Sequence, residues 1–250
     1  MFKLGFELEL ISNLSGKEVK KLLEKEISTP LKLVYDPTIF PNDDYQYGHE
    51  IITPPLPEKE AENLLRELYL FCKRHNLKSN RSTGFHVNVS FIEKNKNKQI
   101  NPFFVLMEVD YDTMLAKWRR TRHLYCRSFK YYFDTIKRDI DHKFKPDDWT
   151  DIYAVGGLSK KDVLDVSIQK FVTYMVDQDD RLVDKYTIDA YNKYDEKHIC
   201  MNLGYISKRG YIEFRMIGGA SYLKNVEPIL EDINHIKQSM KIALKRSVSK

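Results

Sequence analysis

The sequence predicts a single α+β domain, and three observations support this fold class. Several short stretches alternate apolar with polar residues, which is the pattern of half-buried β-strands. The region 102–180 has a mostly helical pattern, so strands bracket helices along the chain. The 250 residues can bury a substantial core without disulfide support. Because no internal repeat and no linker divides the chain, we treat residues 1–250 as one domain.

The first half of the chain predicts alternating strands and helices. Ser15 and Glu18, three residues apart, form a capping-box signature at the start of a helix. Pro54 and Pro55 end the strand before them, because proline cannot continue strand pairing. The expected elements are a strand at 2–11, a helix at 15–28, strands at 31–35 and 49–53, a helix that ends near residue 75 and a strand at 84–91.

The second half of the chain is expected to be mostly helical, with two strands before a final helix. The run EKNKNKQIN at 93–101 is polar and predicts a solvated loop. The run SKRG predicts the turn of a hairpin. The expected elements are helices over much of 102–180, an ambiguous segment at 181–195, strands at 198–205 and 211–217, and an amphipathic helix at 224–246.

Composition excludes several classes of protein. The 41 Lys and Arg residues exceed the 36 Asp and Glu residues, a net charge of +5 that suits a phosphate-bearing ligand but does not indicate nucleic-acid binding. Three widely spaced cysteines indicate a reducing compartment rather than a disulfide framework. The N-terminus lacks the apolar segment of a secretion signal, and no apolar run is long enough to span a membrane. We therefore expect a cytoplasmic protein.

The polar residues of the strands are the candidate functional residues. Glu7 and Glu9 point to the same face of one strand, with Cα atoms about 6.5–7 Å apart. Two carboxylates at this spacing can hold a hard cation such as Mg²⁺. An exposed strand face without a ligand would show the same two residues. Asp36, which follows an apolar run, is explained equally well by a turn or by a functional role.

Three further strands carry polar residues in the same alternating pattern. Glu213 and Arg215 place a carboxylate beside a guanidinium, which is either a cation site next to an anion site or a structural ion pair. His86 and Asn88 share one face, and a histidine there is either a ligand, a proton carrier or a structural residue. Glu50 lies close to the end of its strand.

The basic run WRRTRHLYCR is the densest positive segment. It contains Arg119, Arg120, Arg122 and Arg127, which predict either a polyanion site or a solvated helix face. On a helix, Arg119 and Arg122 would share one face. Near the C-terminus, His198 and Asn202 fall on one face of their expected strand.

Five motifs in this order resemble those of the amidoligase family. They are GFELEL, HEIITPPL, TGFHVNVS, RHLYC and NLGYISKRGYIEFRMIGG, and the resemblance extends over residues 3–220. It implies a fold similar to the catalytic domains of glutamine synthetase and glutamate–cysteine ligase. In that fold, helices cover the convex side of a curved, mainly antiparallel sheet, and the active site lies in the concave face. It also implies ATP-dependent joining of a carboxylate to an amine with Mg²⁺ or Mn²⁺.

The resemblance assigns roles to individual residues. The metal ligands that it implies are Glu7, Glu9, Glu50 and Glu213. The catalytic residues are Arg215, Glu50 and His86, and Arg215 contacts the γ-phosphate or the acyl phosphate. The residues expected to contact ATP are His86, Asn88, Asn202 and Arg215, and the basic run adds Arg122 and Arg127 as a separate hypothesis for the phosphates.

Three positions depart from the family pattern. Asn88 stands where the family has the second histidine of an HxH-like strand, and the loop after Asp36 lacks the usual serine and glycines. Lys197 or His198 replaces an arginine that commonly precedes the strand of Asn202.

Two other functions use similar residues. A metal-dependent nuclease or phosphoesterase also needs acidic ligands, a histidine and positive charge. A non-catalytic binding or structural protein can retain the same fold. For the ligase, the expected substrates are a small-molecule or peptide carboxylate and an amine. Relatives of this fold assemble, so a homo-oligomer is compatible with the sequence.

Overall fold

The order of strands and helices follows the hydrophobic pattern for most of the described chain. A computed structural model describes residues 1–41, 44–121, 126, 128–129, 199–203 and 205–248. The elements in these ranges are β1 (Phe2–Ser12), α1 (Gly16–Glu26), β2 (Lys32–Val34), β3 (Tyr47–Ile52), β4 (Leu56–Pro57), α2 (Glu58–Arg74), β5 (Gly84–Phe91), α3 (Lys94–Gln99), α4 (Pro102–Glu108), α5 (Tyr111–Lys117), β6 (Met201–Asn202), α6 (Tyr205–Arg209), β7 (Ile212–Gly218), a 3₁₀ turn (Tyr222–Lys224) and α7 (Glu227–Val248).

The seven described strands form one antiparallel sheet. Their order is β2-β3-β1-β5-β7-β6, and the short β4 also pairs with β1. The strands β2 and β6 end this order, so the sheet is open within the described ranges. The structure therefore confirms an α+β fold with a mainly antiparallel sheet.

The alternation along β1 separates a core face from a polar face, as predicted. Phe2, Leu4 and Phe6 are completely buried and belong to the same apolar core as Leu65 of α2 and Ile233 of α7. Burial of each such side chain contributes about 1.5–3 kcal/mol of stability. Because a shift of one residue would expose this whole set, the core fixes the strand register and the direction of the polar face.

Local signals begin the helices at the expected places. The Ser15 hydroxyl accepts a hydrogen bond from the Glu18 backbone N–H, and the Glu18 carboxylate accepts one from the Ser15 backbone N–H, which confirms the capping box. Asn101 caps α4 in a similar way, since its side chain accepts from the Phe103 N–H and Pro102 occupies the first helical position.

The polar run at 93–101 contradicts the loop prediction. Residues Lys94–Gln99 form α3. Asn97 explains this result, because its side chain accepts a hydrogen bond from the Phe91 N–H at 2.7 Å and donates one to the Phe91 carbonyl at 2.9 Å. A buried side-chain contact with the end of β5 thus fixes a short helix that the composition alone does not predict.

The C-terminal hairpin differs from the prediction in two respects. β6 and β7 do pair, but β6 has only two residues, and α6 lies between the strands where SKRG predicted a tight turn. In β7, two residues, Arg215 and Met216, lie between the pairs Val87–Phe214 and Phe85–Ile217. This bulge places Ile217, rather than Met216, opposite core residue Phe85 and ends the strict alternation.

The cysteines agree with the prediction of unpaired thiols. Cys72, Cys126 and Cys200 are all free and buried. Within the described ranges, every helix is too short or too polar to cross a membrane.

Candidate active site

The strand register brings the predicted polar residues together on one face of the sheet. Glu9 lies directly opposite Glu50, and Glu7 lies directly opposite His86. Residues opposite one another in an antiparallel pair point to the same face. Along the next strands, Asn88 lies opposite Glu213, and Asn202 lies on the other side of Glu213. The polar faces of five strands therefore make one continuous surface.

His86 is the centre of this surface. Its side chain is 5% exposed, and its Nδ1 atom lies 3.0 Å from Glu7 Oε2 and 3.3 Å from Glu213 Oε1. Its Nε2 atom lies 3.4 Å from Glu9 Oε1. One buried imidazole thus joins three carboxylates from two strands, which fixes their relative positions.

Neighbouring side chains orient the remaining carboxylate oxygens. Asn88 Nδ2 donates to Glu7 Oε1 at 2.9 Å, so the amide oxygen of Asn88 must point away from Glu7. That oxygen is buried and has no hydrogen-bond donor in the described part of the chain. Asn202 forms a hydrogen bond with Glu213, and Arg215 Nε lies 3.5 Å from Glu213 Oε1.

The backbone of the turn at Thr83–Gly84 holds the carboxylate of Glu9. The Gly84 N–H donates to Glu9 Oε2, and an added Cβ at residue 84 would lie 3.0 Å from His86 Nε2. The turn itself is anchored, because the Thr83 carbonyl accepts hydrogen bonds from Arg120 Nη1 at 3.0 Å and from the Gly219 N–H at 2.8 Å. Glycine at residue 84 therefore permits a backbone donor to contact the carboxylate.

Gly218 leaves the space through which Arg120 reaches this turn, so we expect Gly218→Ala to be strongly destabilising. An added Cβ would lie 1.9 Å from Arg120 Nη1 and 2.9 Å from the Thr83 carbonyl oxygen, at a φ of +149°. Steric and backbone strain together should lower the free energy of unfolding by about 3 kcal/mol or more. Urea denaturation measures this loss.

Gly210→Ala is the matched control for this variant. Gly210 has a φ of +75°, but no described atom lies within 4 Å of its added Cβ. Only the backbone cost of about 1 kcal/mol is expected there. A loss in Gly218→Ala no larger than in Gly210→Ala would contradict the proposed clash with Arg120.

Among the described residues, two groups of three side chains have ligand atoms close enough to hold a cation. Glu7, Glu50 and His86 form the first group, and Glu9, Asp36 and Glu50 form the second, with all ligand atoms of a group within 4.8 Å of one another. Glu50 belongs to both groups. Carboxylate oxygens with an imidazole nitrogen match the donors that divalent cations use in proteins.

Burial and the neighbouring charges shift the pKa values of the carboxylates in this cluster. Burial raises the pKa of Glu50 to about 7, and the neighbouring charge of Glu7 adds to the shift. Burial also raises the pKa of Glu213, against the effect of His86. For Glu7, burial is outweighed by hydrogen bonds that include one from His86, and its pKa is lowered. A bound cation would relieve the repulsion among these carboxylates.

Comparison with protein-family models matches residues 1–226 to a family described as "Putative amidoligase enzyme". The chain belongs to this family. The match includes all five motifs that suggested the resemblance, and it identifies the chain as a member of a family of amide-forming ligases. No similar protein was found among curated proteins, and none among solved structures.

The amidoligase-family motifs converge in space where the structure describes them. The predicted site residues that share the polar face are Glu7, Glu9, Glu50, His86, Asn88, Asn202, Glu213 and Arg215. Arg122 and Arg127, which were predicted to contact ATP, lie outside the described residues, as do Lys197 and His198.

The described start of the basic run, residues 118–121, does not continue a helix as predicted. The helix α5 ends at Lys117, and Arg119 adopts a positive φ of 56° just beyond it. Arg119 is therefore not helical, and Arg122, with which it was expected to share a face, lies outside the described residues. Arg120 is buried and donates to the Thr83 carbonyl, so it supports the turn that holds Glu9 rather than a solvated face.

Two contributors to the amidoligase site were incompletely predicted from the sequence. Asp36 forms a turn, because its Oδ1 accepts from the Thr38 N–H and hydroxyl, and it also joins the second ligand group. The turn interpretation of Asp36 is therefore confirmed, and its functional role stays a prediction that this position permits. The contact between Arg120 and Thr83 joins positions 37 residues apart, and no local pattern indicates it.

Proposed function

We propose that the protein is an ATP-dependent carboxylate–amine ligase that forms an amide through an acyl phosphate. The observation that carries this proposal is the pair of ligand groups that share Glu50, on a face that also contains Arg215. Membership of the amidoligase family supports an amide-forming reaction. A glutamine synthetase-like curvature of the sheet, with the polar face on its concave side, is part of the same proposal.

The donor set fits Mg²⁺, and Mn²⁺ as a substitute. Glu7, Glu50 and His86 would hold one ion, and Glu9 and Asp36 would hold a second together with Glu50. Oxygen-rich sites of this kind suit Mg²⁺, which is usually shared with substrate phosphates. When bound, the ions would offset the negative charge of the phosphates during phosphoryl transfer.

The reaction consists of two displacements. A carboxylate oxygen of the first substrate attacks the γ-phosphorus of ATP, and the bond to the ADP oxygen breaks. The amine nitrogen then attacks the acyl carbon, and phosphate leaves with the electron pair of the C–O bond, while the amine gives up a proton to water. Arg215 would supply positive charge to the phosphoryl oxygens. Glu213, which is 3.5 Å from Arg215 Nε, would hold that guanidinium in place.

An ADP-release screen across carboxylates and amines tests the proposal. We expect ADP to form when ATP, Mg²⁺, a suitable carboxylate and an amine are all present, and we expect mass spectrometry to detect the amide. ATP with Mg²⁺ should also raise the thermal midpoint. At 100 times the dissociation constant, the stabilisation should be about 2.7 kcal/mol.

Other outcomes would identify a different function. Cleavage of nucleic acid with Mg²⁺ and without ATP would indicate a nuclease or phosphoesterase. Neither ADP release nor stabilisation by ATP and Mg²⁺ would indicate a non-catalytic binding or structural protein.

A further inference from the structure

A cavity with an excess of positive charge adjoins the carboxylate cluster. Its volume is about 710 Å³, and its lining includes Glu7 and Asn88 of the cluster. Among the described residues of its lining, five are basic and one, Glu7, carries a carboxylate. The five residues are Lys3, Lys32, Lys94, Lys98 and Arg209. We call this space the basic cavity.

The basic residues of this cavity lack acidic partners within the described ranges. The ion pairs of the described residues involve other basic side chains, for example Lys117 with Asp232 and Lys237 with Glu62. None of the five basic residues of the cavity forms an ion pair with a described carboxylate. Arg209 is instead oriented by tyrosines, since its Nη1 donates to Tyr211 Oη at 3.1 Å. Positive charge without counter-charge, gathered around a cavity, favours an anionic ligand.

The strand register spaces these charges widely around Glu7. Lys32 lies opposite Ile52, which lies opposite Glu7, so Lys32 and Glu7 are two strand spacings apart, or about 10 Å. Lys3 lies four residues from Glu7 along β1, a separation of about 13 Å. The two lysines extend from Glu7 in different directions, across the sheet and along the strand. Several charges that are spaced along one ligand would match this arrangement better than one compact anion.

Residues of two short helices, α3 and α6, add further positive charge to the lining of the basic cavity. Lys94 and Lys98 lie one turn apart on α3, so they occupy the same side of that helix. Arg209 ends α6, which contacts α3. The cavity thus offers separate positive positions on a strand edge, a central strand and two helices.

We propose that the basic cavity binds a polycarboxylate substrate, an acidic peptide segment, and brings one of its carboxylates to the Glu7 cluster. This inference rests on the proposed function, because the ligase needs a carboxylate donor beside the metal ligands. The spread of charge favours this ligand over a triphosphate, because spaced carboxylates can pair with more of the five basic residues than one compact group of oxygens. The peptide carries its charges at intervals, as the lysines are spaced.

Binding of fluorescein-labelled tetraglutamate, measured by anisotropy without ATP, tests this proposal. The unmodified chain should bind it with an affinity that falls steeply as salt rises. The double variant Lys94→Gln/Lys98→Gln should bind at least tenfold more weakly. The double variant Lys21→Gln/Lys25→Gln is the matched control, since these exposed lysines have the same four-residue spacing on α1. It should bind within twofold of the unmodified chain.

Three results would overturn the proposal. The first is absence of tetraglutamate binding, or equal binding by both double variants. The second is displacement of the peptide by ATP and Mg²⁺, together with a similar loss of ATP affinity in the variant Lys94→Gln/Lys98→Gln. These two observations would identify the cavity as a nucleotide subsite. The third is tighter binding of an oligodeoxynucleotide than of tetraglutamate. Failure of the proposed function would instead appear as absent ADP release while peptide binding persisted.

Discussion

Replacing Glu50 with Gln is expected to remove almost all Mg²⁺-dependent ligase activity. Glu50 is the one residue that belongs to both candidate ligand groups, so the change removes an anionic ligand from each. The amide keeps the size of the side chain but loses its charge. Loss of one group that stabilises developing charge typically lowers kcat by about 10²–10³-fold. Initial rates of ADP release over a Mg²⁺ titration measure the effect.

The fold should tolerate this substitution. Burial and the charge of Glu7 already disfavour ionisation of Glu50, whose pKa is raised to about 7. A neutral amide should therefore leave the metal-free thermal midpoint unchanged or slightly higher. Glu67→Gln is the matched control, because Glu67 is exposed on α2 and far in sequence from every ligand. Ligase activity in Glu50→Gln equal to that of the control would exclude Glu50 as a metal ligand.

The strands of the site could be predicted because their pattern is local. The apolar residues of β1 and β5 recur at every second position, and burial of that face determines the direction of the polar residues between them. Glu7, Glu9 and His86 were therefore identifiable from the sequence. The pairing of Glu9 with Glu50 depends on which strands are neighbours, and the sequence supplies this only through the family resemblance.

The walls of the basic cavity were not predictable in the same way. The helix α3 depends on the hydrogen bonds of Asn97 with the Phe91 backbone, which form only when strand and helix are already adjacent. The helix α6 replaces a turn that a short motif suggested. Short helices that depend on individual side-chain contacts carry little signal in composition or periodicity, so the residues of the carboxylate cluster were easier to predict than the walls of the basic cavity.

One physical cause explains why the strand residues were predicted and the turn that supports them was not. A regular sheet places side chains at spacings that depend only on residue number and register, and this regularity brings the carboxylates and His86 together. The turn at Thr83–Gly84 has no such regularity. Its position depends on Arg120, whose side chain approaches past Gly218.

Glu213→Gln is the second substitution for which we expect a very large effect. Glu213 is 5% exposed, lies 3.3 Å from His86 Nδ1 and 3.5 Å from Arg215 Nε, and accepts a hydrogen bond from Asn202. The sequence assigned it to a metal, whereas the two ligand groups found among the described residues do not include it. It nevertheless contacts His86, which belongs to the first group. A residue that orients a ligand affects both metal affinity and rate.

Loss of the Glu213 charge should therefore raise the Mg²⁺ concentration at half-maximal rate by about 10–100-fold. The maximal rate of amine-dependent ADP release should fall as well, because Arg215 loses the carboxylate that holds it. Near-UV circular dichroism should stay unchanged, since Gln has the same shape and can still hydrogen-bond Asn202. Glu67→Gln serves again as the exposed control. A Glu213→Gln protein with full activity and an unchanged Mg²⁺ requirement would show that Glu213 has only a structural role.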